Sequence, residues 1–136
     1  MKSRSESLIR FKKFQVDEKR RQVAQIESMI ADFERMAAEL DQQIEIEHQK
    51  TGISDMAHFA YSTFAKAAQT RRDNLMASAD DMREKLESAQ DELAEAVEDL
   101  KKVELLDQRE HQREDAEQTR AEQADMDEIG RMRHQR

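Results

Sequence analysis

The chain has 136 residues, of which 40% are charged and 37% hydrophobic, and its formal net charge is -8 at pH 7. It contains no cysteine and no proline, which excludes disulfides and thiolate metal sites and favours long helices over a compact mixed core. The negative charge argues against general affinity for nucleic acid. No apolar run reaches the roughly 20 residues of a membrane span or the length of a signal peptide. We therefore expect an all-α, cytoplasmic protein without an inserted membrane segment.

The first predicted helix spans about residues 3–50. Its apolar residues recur at alternating steps of three and four, which is the spacing of a coiled-coil seam. The seam residues are Val23, Ile26, Ile30, Phe33, Ala37, Leu40 and Ile44. Carried backwards, the same spacing places Lys19, Val16, Lys12 and Ile9 on the seam, where lysine stems can cover apolar surface.

Three large apolar residues of this helix, Leu8, Phe11 and Phe14, lie beside the seam. We expect helical drift of about 20° per heptad to swing them inward. The alternative is that they form an exposed patch for a partner.

A break in the pattern at residues 51–54 predicts a turn. Gly52 can adopt the left-handed conformation that closes a helix. Ser54 can cap the next helix, with Asp55 in its first turn. The second helix is therefore expected over about residues 55–125.

The second helix carries a seam of its own. Its residues are Tyr61, Ala65, Ala68, Arg72, Leu75, Ala79, Met82, Leu86, Ala89, Leu93, Ala96, Leu100 and Val103. A hairpin that turns near Gly52 places Ile44 opposite Tyr61 and Ala37 opposite Ala68. In this register the seam ends at Val103, opposite Lys2.

Charge supports the antiparallel arrangement. Residues 1–21 hold eight basic and three acidic side chains, whereas residues 84–104 hold eight acidic and three basic ones. Such complementarity sets the direction of pairing more than it adds stability. The sequence thus predicts one domain, an antiparallel coiled-coil hairpin of two long helices with a C-terminal helical extension.

The extension is polar on every face over residues 107–125. Met126, Ile129 and Met132 then form a short apolar stripe in residues 126–136. This tail is either frayed and solvated, or a helix that is ordered only when a partner surrounds it.

Aromatic residues cluster near the turn as Phe59, Tyr61 and Phe64. Tyr61 lies on the seam. Phe59 and Phe64 flank it, and they either cap the hairpin tip or offer anchors to a partner.

The sequence offers no phosphate-binding loop, nucleophile elbow or metal-ligand spacing. His111 and Glu114 share one side of the polar helix, but two exposed side chains from one turn make a poor site. We expect no enzyme activity and no cofactor.

The hairpin pattern, together with the segments LIRFKKFQVDEKRRQVAQIESMIADFERM, HFAYSTFAKAAQTRRDNL and LKKVELLD, resembles the flagellar export protein FliJ family. The resemblance implies a soluble part of the type III export apparatus at the cytoplasmic face of the flagellar base. It also implies a stalk-like coiled coil that binds the hexameric export ATPase, the membrane protein of the export gate and export chaperones, and a monomer on its own.

Two other classes remain open. One is a coiled-coil chaperone or an injectisome stalk protein, and the other is a structural, self-associating coiled coil. The partner-binding candidates are the residues that the seams leave over: Leu8, Phe11, Phe14, Phe59, Phe64, Met126, Ile129 and Met132.

Overall fold

The computed structural model describes residues 4–135. Helix α1 spans Arg4–Thr51 and helix α2 spans Thr63–His134, and the described residues contain no strand. The two helices pack against each other as an antiparallel hairpin, which confirms the predicted fold class. The expected helix start at residue 3, the seam position of Lys2 and the last residue of the tail lie outside the described residues.

The chain divides into two compact units, one of residues 17–94 and the other formed by the described residues of 1–16 and 95–136. The first unit contains the turn and most of both seams. The prediction that the whole chain is one domain stays a prediction.

In the unit of residues 17–94, the side chains removed from solvent are those of the predicted seams. The buried ones are Val23, Ile30, Ala37 and Ile44 on α1, and Ala65, Ala68, Ala79 and Ala89 on α2. The intervening seam positions are half-buried. The buried positions of α2 are all alanine, which lets the larger side chains of α1 approach its backbone and interdigitate.

The predicted register of the hairpin is wrong by one heptad. Arg72 Nε donates to Asp41 Oδ1 at 3.1 Å, and Lys19 Nζ donates to Glu92 Oε2 at 3.0 Å. These partners fit a pairing displaced by seven residues along α2, in which Ala37 faces Leu75 instead of Ala68. A seam that repeats every seven residues buries the same side chains in either register, so its spacing could not distinguish them.

The longer turn explains the displacement. Gly52 has φ of 70° and its N–H donates to the His48 carbonyl at 2.9 Å, so α1 closes where the sequence predicted. Helix α2, however, begins at Thr63 and not near residue 55. Its cap is Ser62, whose Oγ accepts from the Ala65 N–H at 3.2 Å, and the predicted cap at Ser54 is wrong.

Local hydrogen bonds order the turn of residues 52–62. The His58 N–H donates to the Asp55 carbonyl and the Tyr61 N–H donates to the His58 carbonyl, each at 3.1 Å. The Asp55 carboxylate also accepts from the Ala57 N–H at 2.9 Å. Two consecutive four-residue turns therefore replace the helical start that the sequence predicted.

In the second unit, Val16 is buried and the seam positions Ile9 and Val103 are half-buried. The seam of α2 continues to Asp107, four residues beyond its predicted end, and the displaced register places Asp107 opposite Ser5, which is also half-buried. From residue 108 to 135 every side chain is exposed. Helix α2 nevertheless continues to His134, so its predicted end near residue 125 is wrong.

Candidate partner-binding surfaces

The tip patch consists of Phe59 in the turn and Phe64 in the first turn of α2. Phe59 is 97% exposed, and its ring stacks on His58 with centroids 4.7 Å apart and an interplanar angle of 23°. Phe64 is about half exposed. Phe59 therefore does not close the end of the hairpin by burial, and the turn displays it to solvent.

Tyr61, unlike Phe59, is half-buried, as its predicted place on the seam leads us to expect. Its hydroxyl lies 2.7 Å from His48 Nε2, within hydrogen-bonding distance, and the two rings are tilted with centroids 5.5 Å apart. Beside it, the Ser62 hydroxyl donates to Glu47 Oε1 at 3.0 Å. These two contacts tie the last turns of α1 to the start of α2 and so hold the loop that carries Phe59.

Two further exposed apolar residues near the turn were missed by sequence reasoning. Ile46 and Met56 are each about half exposed. Ile46 lies two positions after the seam residue Ile44, so the seam spacing alone would have placed its side chain off the seam and in solvent. Met56 carried no such signal, because its position depends on the turn that replaced the predicted helix.

The N-terminal patch consists of Leu8, Phe11 and Phe14. All three are about half exposed, so the expectation that helical drift would bury them is wrong. The half-buried seam residues Ile9 and Lys12 keep their inward positions, and a helix that follows its seam leaves the neighbouring side chains in solvent.

Cationic side chains accompany the N-terminal patch. Arg10 and Lys13 lie between its apolar residues in the sequence, and in the described part of the chain neither forms an ion pair. A patch of aromatic and cationic side chains suits a partner surface that is apolar at its centre and acidic at its edge.

Leu105 and Leu106 on α2 are exposed apolar residues that the sequence reading did not single out. Leu106 precedes the seam residue Asp107 by one position, as Leu8 precedes Ile9. Residues that stand at the same offset from a seam residue on the two helices lie on the same side of an antiparallel helix pair. The register thus places Leu106 on the same side of the helix pair as Leu8, within one unit.

An ion pair in the unit of residues 17–94 shows that residues at the same offset from the two seams lie on the same side of this hairpin. Glu34 and Arg83 each follow a seam residue by one position, and their side chains form an ion pair between the helices. The carboxylate of Asp80 contacts the same guanidinium.

The tail stripe consists of Met126, Ile129 and Met132, which all lie exposed on the helical part of the tail. The side-chain contacts around it run along α2 itself, such as the amide of Gln123, which donates to Asp127 Oδ1 at 3.1 Å. Because α2 includes the stripe, its three side chains share a helical face at spacings of three residues.

The seam ends in a polar contact. Asp107 Oδ1 is buried without a hydrogen bond, and His111 Nδ1 lies 3.5 Å from it. His111 Nδ1 instead donates to the Asp107 carbonyl oxygen at 2.8 Å. This hydrogen bond, and secondly the charge of the Asp107 carboxylate, raise the pKa of His111 above its usual value of 6.5.

Among residues 4–135, no group of three or more His, Asp or Glu side chains is arranged to hold a metal ion. No described helix is long and apolar enough to cross a membrane.

The fold and surfaces define the class: a coiled-coil hairpin protein whose seam side chains face each other and which exposes further large apolar side chains beside the seam, at the turn and in the tail. The family model described as flagellar FliJ protein matches residues 1–136, so the chain belongs to the FliJ family. No curated protein and no solved structure matches it. The family is a non-catalytic component of the flagellar export apparatus, and membership makes this chain a component of that apparatus.

Proposed function

We propose that this protein is a central-stalk-like adaptor of the flagellar export apparatus, which binds the export ATPase ring and promotes its assembly or activity. In this proposal the N-terminal patch and the tail stripe engage the ATPase, and the tip patch faces the membrane protein of the export gate. The adaptor also binds export chaperones. It is a cytoplasmic monomer until it docks at the flagellar base.

The observation that carries the proposal is the length of α2 that lacks a packing partner in the described chain. Every residue from 108 to 135 is exposed, although α2 extends to His134. Isolated helical segments are marginal in water, because most helical stability in proteins comes from packing of an apolar face. A surrounding protein ring would supply that packing to the tail stripe.

The N-terminal patch supports the same conclusion. Its apolar side chains flank Arg10 and Lys13, and both cations are free to pair with acidic groups of a partner. Aromatic residues, including phenylalanine, and arginine are enriched in the cores of protein interfaces relative to the rest of the protein surface. The two surfaces belong to the same compact unit of the chain.

Stimulation of the export ATPase by the purified protein tests the proposal. We expect serine at Met126, Ile129 and Met132 to reduce stimulation by about tenfold, since losing three apolar contacts removes more than the roughly 1.4 kcal/mol that a tenfold change requires. Met29→Ser is the control, because Met29 is also an exposed apolar residue but belongs to the other unit. Undiminished stimulation by the triple variant would exclude the tail stripe from the ATPase contact.

A chaperone that holds unfolded clients is the second candidate, and the nearly complete exposure of Phe59 favours it. A chaperone should suppress aggregation of unrelated unfolded proteins, and Phe59→Ser should weaken that activity. An adaptor needs no such activity. The mass of the protein in solution separates both from a self-associating structural coiled coil, which would not be monomeric.

A further inference from the structure

The seams of residues 17–94 are compatible with two registers. In the observed register Ala37 lies opposite Leu75. Because the seams repeat every seven residues, moving α2 by one heptad, about 10.5 Å, again places seam residues opposite each other. In that second register Ala37 lies opposite Ala68, and Ile30 opposite Leu75.

The turn contains the residues that such a movement needs. Residues 55–62 read DMAHFAYS, without glycine or proline, and they are compatible with a helix. Ser54 could cap that helix and Asp55 would stand in its first turn, where a negative charge is favourable. Adding these residues to α2 shortens the turn to residues 52–54, as the second register requires.

Two features favour the observed register. Arg72 is a charged residue on the seam, and in the observed register its guanidinium reaches Asp41 at 3.1 Å, whereas in the second register it would face Phe33. The second register also sets Ala37 against Ala68, which fills the layer less well than Leu75 does.

We propose that the hairpin exchanges between these two registers, with residues 55–62 folded into α2 in the second register. Phe59 is then displayed on a loop only in the observed register, and it becomes part of a helix in the other. A partner that binds the loop form of the tip patch stabilises the observed register by its differential affinity. The Arg72–Asp41 ion pair helps to set the relative populations of the two registers, because it forms only in the observed one.

Cysteine pairs test the exchange, because the natural chain has no cysteine. The pair A37C/L75C reports the observed register and A37C/A68C reports the second. The pair A37C/M82C is the control, since Met82 lies as far from Leu75 as Ala68 does, but in the other direction. Disulfides need Cα atoms within about 7 Å, so we expect A37C/A68C to form an intrachain bridge in a redox buffer faster than A37C/M82C.

A substitution that removes the Arg72 guanidinium should increase the population of the second register. We expect Arg72→Leu to accelerate the A37C/A68C bridge by about fivefold, in keeping with the upper range measured for exposed ion pairs. Arg71→Leu is the matched control, because Arg71 is exposed and forms no ion pair in the described part of the chain.

Proline at residue 59 gives a second, independent measurement. The Tyr61 N–H donates to the His58 carbonyl, so Phe59 occupies the second position of that turn, which favours proline, whereas proline would break a helix over residues 55–62. Phe59→Pro should therefore slow the A37C/A68C bridge and leave A37C/L75C unchanged, whereas Phe59→Ala should not slow the A37C/A68C bridge, because alanine favours a helix. Bridging of A37C/A68C no faster than A37C/M82C, or unaffected by Phe59→Pro, would overturn the proposal.

Discussion

The substitution Ile30→Ala should strongly destabilise the hairpin. Ile30 is a buried seam residue of α1, in the middle of the unit of residues 17–94. The change removes three carbon atoms, and at about 0.8 kcal/mol for each buried methylene the transfer term alone is about 2.4 kcal/mol. The cavity left behind raises the expected loss in the free energy of unfolding to about 3 kcal/mol.

Urea unfolding followed by far-ultraviolet circular dichroism measures this loss. The matched control is Met29→Ala, because Met29 precedes Ile30 on the same helix but lies exposed beside the seam. We expect the control to change the free energy of unfolding by less than about 0.5 kcal/mol. Equal losses for the two variants would refute the conclusion that the seam stabilises the hairpin.

Two further predictions concern the helix cap and the end of the seam. Ser62→Ala should lower the free energy of unfolding by about 1 kcal/mol, because the Ala65 N–H loses its acceptor. Ser54→Ala is the control and should change it by almost nothing. Chemical denaturation measures both variants, and equal losses would argue against Ser62 as the cap. Nuclear magnetic resonance titration should give His111 a pKa above 6.5. Asp107→Asn should lower that pKa but keep part of the elevation, since the backbone carbonyl remains.

The sign of the His111 effect on stability follows from the raised pKa. The folded state holds the proton more tightly than the unfolded state does, so protonation of His111 favours folding. This contribution is complete at pH values below the unfolded pKa, and it is lost as the pH rises through the raised folded value. A titration that placed the His111 pKa below 6.5 would contradict the contact with Asp107.

The candidate surfaces were predictable only in part. Leu8, Phe11 and Phe14 could be located beside the seam, but whether they turn inward depended on how closely α1 follows its seam. At positions beside the seam, the rotational drift of a straight helix turns a side chain inward, whereas packing along the seam leaves it in solvent. The sequence does not show which of the two effects prevails. Leu105 and Leu106 were overlooked because they lie in a charged stretch, although their offsets from Val103 already placed them off the seam.

The sequence by itself determined which side chains form the interior and that the helices run antiparallel. The spacing of three and four from Val23 to Ile44 allows only one face to be buried, and the opposite charges of residues 1–21 and 84–104 favour the antiparallel direction. It also located the end of α1, since Gly52 adopts the left-handed conformation at little cost.

The tertiary structure alone decided the register and the start of α2. A seven-residue repeat is unchanged by a shift of seven residues, so the seams cannot select their own alignment. The selection comes from contacts between distant residues, such as Arg72 with Asp41 and Tyr61 with His48. Those contacts require a turn that ends at Ser62, and residues 55–62 have a composition that suits a helix as well as a loop.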